Sequence, residues 1–260
     1  MSASESMAVV VCVNDHAMLD STLRQSRLVG SGGAEIIVKE GYPSAAMAYN
    51  EALDETHADI AILVHQDVYL PEPWEHQLRE ALASSPDTPV LGVFGIDSDR
   101  AFHGRVWSQG LGAELDFGVE QPRAVESLDE LVLIVRARSG VRFDSDLPGY
   151  HLYGTDIAQR AITSGHPAVV FNAPVVHNSS PVRTLDDSYI QAYRHMQGVW
   201  KDRLPLQTCI LPLAGTDDEL ERWKSVNSKR QWDRRLRGLL RPHRRIRDVR
   251  QKARRLGYEA

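Results

Sequence analysis

Cysteine is scarce: Cys12 and Cys209 are the only two in 260 residues. They lie far apart in apolar contexts. That excludes a disulfide framework and a CxxC metal site and fits reduced core thiols. Aromatic residues make up only 7% of the chain. Long apolar runs are missing. The runs 9–13 (VVVCV) and 60–64 (IAILV) fall far short of the roughly 20 residues needed to cross a bilayer. The opening MSASESMAVVVCV has no basic stretch and carries Glu5, so it does not read as a secretory signal. The expectation is a cytoplasmic protein. What is present is an ordinary globular composition, 42% hydrophobic and 25% charged. This excludes disorder throughout and a collagen-like chain, and the length allows one or two domains.

The net charge of -5 hides an asymmetry. Residues 221–260 hold fifteen Lys/Arg against four Asp/Glu, a balance of +11 that leaves -16 for residues 1–220. An acidic body with a basic tail points to an anionic partner for the tail.

The first half alternates between two periodicities. Apolar, β-branched runs at 8–13, 34–38, 59–64 and 89–94 read as buried strands. Between them, 17–28, 44–56 and 74–84 read as helices, the second opened by Ser44 as an N-cap and the third by Pro71 and Pro73. Strand and helix in alternation specify an α/β layer with a mostly parallel sheet. Ligands in such sheets bind beyond the carboxyl ends of the strands. The candidates there are Asn14 and Asp15 after the first strand, Lys39 and Glu40 after the second, and Gln66 and Asp67 after the third. The second half shows hairpin-like alternation over 101–127, a buried strand at 131–136, a helix at 155–164 and short strands at 168–171 and 174–177.

Three local patterns carry chemistry. In strand-then-HQDVYLP, Asp67 stands where a carboxylate could hold a hard divalent cation, whose shell diphosphate oxygens complete; an Asp that caps the following turn reads equally well. In Gly154-Thr155-Asp156, a carboxylate sits in the first turn of a helix. It suits a general base or simply the helix dipole. In VVHNSS, His177 leaves a short strand into a polar turn, as a metal ligand or as a satisfied turn histidine.

Taken in order, HQDVYLP, LDE, FDSDLPGYHLYGTDIAQRA and VVHNSS resemble the GT-A-fold glycosyltransferases of the family-2-like group, over roughly residues 8–200. The resemblance implies a mixed, mostly parallel sheet flanked by helices. It implies a nucleotide-sugar donor, a glycan or lipid-linked acceptor, and a divalent cation, Mn2+ or Mg2+, on the donor diphosphate. Asp67 matches the last Asp of the family's Asp-X-Asp metal element, with His65 where the first Asp is usual, and His177 matches a downstream metal-binding His. Asp156 matches the base that takes the acceptor's proton, with Thr155 in place of the preceding Glu. Asp129 matches an acid near acceptor and donor sugar. Asn14 and Glu40 fall where the family contacts the nucleotide base and ribose, with Gln66 and Asp67 also on the donor side. The implied reaction is direct displacement with inversion. A non-catalytic nucleotide- or glycan-binding module of the same fold is the alternative.

The expected organisation is a catalytic domain at 1–204, a linker at 205–220 and a basic amphipathic helical tail at 221–260. From Trp232 on, apolar residues recur at steps of three or four, with Pro242 breaking the run and arginines on the remaining face. Such a face fits an anionic membrane surface. It also fits a second copy of the chain, giving a homodimer, or the acidic body itself. No nucleic-acid module accompanies the charge, which argues against a nucleic-acid partner.

Overall fold

A computed structural model describes residues 5–30, 32–181, 185–225 and 244–260. The first half runs β1 (Met7–Cys12), α1 (His16–Ser21), α2 (Arg27–Gly30), β2 (Glu35–Lys39), α3 (Ala45–Glu55), β3 (Ile60–Val64), β4 (Val68–Tyr69) and α4 (Trp74–Ser84). Then come β5 (Val90–Gly92), β6 (Phe94–Ile96), β7 (Phe102–Ser108), β8 (Ala113–Asp116), β9 (Arg123–Val125), β10 (Ser127–Leu128) and β11 (Val132–Arg136). The second half continues with α5 (Tyr153–Thr163), β12 (Ala168–Val170), β13 (Val175–His177) and α6 (Asp187–Val199). A last short helix covers Val249–Arg255.

Seven strands form the central sheet in the order β2-β1-β3-β11-β5-β12-β9. β1 runs parallel to β2 and β3, and β12 parallel to β5, while β11 and β9 run against their neighbours. The strands are apolar at nearly every position because both sheet faces are covered. Alternation then sorts side chains by face. Val10, Ala61, Leu63 and Leu133 pack with Tyr49 of α3, Tyr153 of α5 and Tyr193 of α6. Val9, Val11, Ile62 and Ile134 pack with Leu19 of α1 and with Trp74 and Leu78 of α4. The helix starts are capped as their sequences suggest. Asp15, Ser44 and Asp186 each accept a main-chain N–H three residues on.

A second, smaller sheet has the order β10-β6-β7-β13-β4, with β8 paired to β7. It accounts for the departures from the expected elements. The run expected as one strand at 89–94 divides at Val93, so that β5 belongs to the first sheet and β6 to the second. The helix expected over 17–28 is broken. Thr22 and Ser26 are fully buried, and Ser26 Oγ accepts the Leu70 N–H at 2.9 Å; such side-chain bonds compete with helix continuation. α6 was not among the expected elements, although Tyr189, Ala192, Tyr193 and Met196, all buried, recur at helical spacing.

The C-terminal third also differs. The 205–220 stretch, expected as a linker, is part of the core: Leu206, Leu211, Leu213 and Leu220 are buried, and Leu206 and Leu213 exchange main-chain hydrogen bonds. Residues 218–225 are helical. The expected tail helix from Trp232 through Leu240, and the break at Pro242, lie outside the described residues. Residues 244–260 are not a free tail. Val249 and Ala253 are buried against Tyr69 and Val176, and Lys252 Nζ stands 3.1 Å from the centre of the Trp107 ring. The apolar stripe of this segment therefore faces the body and not a membrane or a second copy. No helix among the described residues is long and apolar enough to cross a membrane.

Candidate active site

The chain passes from one sheet to the other within two residues, and this crossing builds the site. β3 ends at Val64, and His65 N–H still bonds Leu131 O at 3.1 Å, extending the pairing with β11. Gln66 and Asp67 make the turn. β4 then pairs antiparallel with β13, setting Val68 opposite His177. Asn178 N–H closes the ladder on Asp67 O at 2.8 Å. Three side chains from distant parts of the sequence meet as a result. The ligand atoms of His65, Asp67 and His177 all lie within 4.8 Å of one another, with His177 Nε2 3.3 Å from Asp67 Oδ1.

Electrostatics set the state of this group. Burial pushes the Asp67 carboxyl up, but the hydrogen bond and charge of His177, with the charge of His65 and a main-chain bond, together outweigh it and hold the group at about 2. Burial pushes His65 down to about 4, so its imidazole is neutral at neutral pH. His65 Nε2 lies 2.7 Å from Tyr153 Oη, and Tyr153 Oη donates to Glu130 O at 3.3 Å. The tautomer consistent with both bonds carries its proton on Nε2 and leaves the Nδ1 lone pair for a cation. Two imidazoles and one carboxylate fit a transition metal such as Mn2+ better than Mg2+, which prefers oxygen alone.

Beside the group opens a cavity of about 450 Å3 lined by Asn14, Tyr42, Gln66, Asp67, Tyr150 and Tyr153, among others. Gln66 Oε1 accepts the N–H groups of Asn14 and Asp15 at 3.1 and 3.0 Å, and its amide is hydrogen-bonded to Asn14 Oδ1. The turn after β1 is thus fastened to the end of β3. Tyr150 Oη donates to Tyr42 O at 3.0 Å, and its ring is 42% exposed. Glu40 is not among the lining residues; its carboxylate pairs with His16 at the surface.

On the other flank, Asp129 and Glu130 turn between β10 and β11. Asp129 N–H bonds Phe94 O at 2.9 Å, and its Oδ1 accepts Leu131 N–H at 3.1 Å. Burial raises both carboxyls. Glu130 rises to about 8, the charge of Asp129 adding to the effect, while main-chain bonds from Leu152 and Gly154 oppose it. Asp129 also feels His177.

Asp156 lies apart from this group, at the start of α5. It is 0% exposed. Both its oxygens take the Arg160 Nε–H, at 3.0 and 2.9 Å, and Oδ2 also accepts Asp144 N–H at 2.8 Å. Burial raises its pKa against the pull of Arg160. A carboxylate held in this way joins α5 to the loop at Asp144. The structure therefore unites His65, Asp67 and His177, places Asn14 and Gln66 at the cavity and Asp129 on its flank, and separates Glu40 and Asp156. Tyr153, Glu130 and Asn178 were not singled out in the sequence as functional. The aromatic crowding of GYHLYG was the available signal for Tyr153.

A sequence model described as a glycosyltransferase-like family matches residues 8–196. A comparison with curated proteins gave no match. Similar solved structures include GalNAc-T7 with UDP, GalNAc and Mn2+, 10% identical with a TM-score of 0.45 over 88% of this chain and 55% of that one. The mannosyltransferase PcManGT from Pyrobaculum calidifontis, in complex with GDP-Man and Mn2+, is 11% identical with a TM-score of 0.46 over 77% of this chain and 64% of that one. A197 from STIV is 10% identical with a TM-score of 0.39 over 66% and 81%. The chain thus spans under two thirds of the two transferases. The family match covers most of the chain, from within β1 through the His65–Asp67 crossing, α5 and His177, and by it this protein belongs to the glycosyltransferase-like family.

Proposed function

We propose that the protein transfers a sugar from a nucleotide-sugar donor to a hydroxyl of a glycan or lipid-linked acceptor, with inversion and with help from a divalent cation held by His65, Asp67 and His177. The observation that carries this reading is the convergence of these three side chains within 4.8 Å at the edge of the cavity. Its volume of about 450 Å3 lies in the usual range for small-molecule sites, roughly 300–1,000 Å3. A bound cation would offset the negative charge that develops on the departing diphosphate.

The chain's own residues do the rest. Tyr42 and Tyr150 offer aromatic surface to the nucleotide base, and Asn14 a polar edge. Asp129 takes the proton of the acceptor hydroxyl. The oxygen so freed bonds to the anomeric carbon as the bond from that carbon to the diphosphate oxygen breaks on the opposite face. Burial, with the charge of Asp129 beside it, pushes Glu130 up to about 8. Tyr153 fixes the His65 ring.

The test is turnover of a panel of nucleotide sugars with Mn2+, with Mg2+ and with chelator. Turnover that needs Mn2+ and is lost in Asp67→Asn is expected; turnover indifferent to chelator overturns cation assistance. The closure of Asp156 favours a second reading, a module that holds a nucleotide sugar without turnover. Donor binding with no hydrolysis or transfer on any acceptor would establish that reading.

A further inference from the structure

Two amide side chains tie the C-terminal segment to the residues that flank the cation ligands. Asn178, 1% exposed, donates its main-chain N–H to Asp67 O at 2.8 Å. Its side chain grips Ile246 by both main-chain groups: Oδ1 accepts Ile246 N–H at 2.7 Å, and Nδ2 donates to Ile246 O at 3.1 Å. Gln109 repeats the arrangement. Its main-chain N–H bonds His177 O at 2.9 Å, and its Nε2 donates to Arg244 O at 2.7 Å. One residue thus links the backbone of Asp67 to the C-terminal segment, and another links the backbone of His177 to it.

The rest of the segment holds the same ribbon from behind. Val249 and Ala253 pack on Tyr69 of β4 and Val176 of β13. The Glu259 carboxylate, 3% exposed, accepts Tyr69 Oη at 2.8 Å and Glu72 N–H at 3.1 Å. β4 is an edge strand of only two residues, paired to β13 on one side alone, and a pairing this short is marginal without further support.

We propose that residues 244–260 act as a strap that sets the spacing of Asp67 and His177, with Asn178 and Gln109 as positioning residues. This rests on the reading of His65, Asp67 and His177 as a cation site. Groups that orient metal ligands from behind change metal affinity about 10–100-fold when removed.

The test uses the full chain. Ile246→Pro deletes the N–H that Asn178 accepts, and Ala253→Arg puts a bulky charge on a fully buried helix position; Arg194→Ala, in a surface pair with Asp217, is the control. Tryptic cleavage within 244–260 reports release of the strap. Hydrogen exchange of peptides over 65–70 and 175–180 is followed in metal-free protein, and the affinity for Mn2+ alone by electron paramagnetic resonance. Release is expected to speed exchange in both peptides and weaken Mn2+ binding by about tenfold, with the control unchanged. A released strap with wild-type exchange or wild-type Mn2+ affinity overturns the proposal. Failure of the wild-type chain to bind Mn2+ would instead overturn the cation reading, leaving the exchange data to decide whether the strap orders the ribbon.

Discussion

Asp129 and Asp156 show how surroundings divide two similar side chains. Asp156 is enclosed by Arg160 and Asp144 N–H, so Asp156→Asn should lower stability by about 1–3 kcal/mol, the range for bonds to charged groups. Turnover per folded molecule should stay near wild type. Asp129→Asn should reduce kcat by about 100-fold or more, the usual contribution of a general base. Denaturation midpoints and kcat measured on both variants check the pair of expectations. His65 supplies a pH signature. Burial holds it at about 4 in the folded protein against 6.5 for an ordinary imidazole, so the unfolded chain takes up the proton first. Its contribution is complete above pH 6.5 and declines as pH falls toward 4, by up to about 3 kcal/mol. Asp67, held at about 2, adds a further loss below the ordinary carboxylate range. Urea unfolding at pH 7, 5.5 and 4.5 should show the first loss in the wild type and a shallower one in His65→Asn. Asp67 and His177 were legible in the sequence because each stands at the end of an apolar strand, and His65 only through the family resemblance. The environment of Asp156 was not, since its partner Asp144 approaches through a loop.

Among the elements, those with strong local signals were read directly. α4 occupies 74–84 as expected because Pro71, Pro73 and the spacing of Trp74, Leu78 and Leu82 agree. β4 has no such signal: two residues carry no periodicity, and only pairing with β13 makes them a strand. α5 is placed by contact as much as by its own sequence. Its Gly154 has no room for a side chain, as a Cβ there would lie 2.4 Å from Leu128 O. Gly154→Ala should therefore displace the helix start, moving Tyr153 from His65 and costing about 1–3 kcal/mol, as overpacking does. A lower unfolding midpoint together with lower Mn2+ affinity is the expected outcome. A control at Gly198, where a Cβ meets nothing within 4 Å, should leave Mn2+ affinity unchanged.

For the whole molecule, ligand binding and folding are linked. Cation binding to the folded state alone should raise stability by about 2.7 kcal/mol at a hundredfold excess over Kd. Mn2+ is expected to raise the melting temperature, with a smaller effect from Mg2+ because two of the three proposed ligands are imidazoles. Chelator should reverse the rise, and His177→Ala should abolish it; thermal scans at fixed protein concentration check both. The charge asymmetry also takes a new form at this scale. The basic segment 244–260 lies on the body, with Lys252 over Trp107 and Arg105 over Tyr258.

The sequence by itself determined the α/β class, the strand-end candidates and the shortness of the apolar runs, because periodicity and run length are local properties. It could not determine which carboxylate is enclosed by Arg160, where β4 pairs, or that the C-terminal segment seats against β4 and β13. Those follow from contacts between residues far apart in the chain, such as Tyr69 with Glu259, 190 positions on, and only tertiary packing brings such groups together.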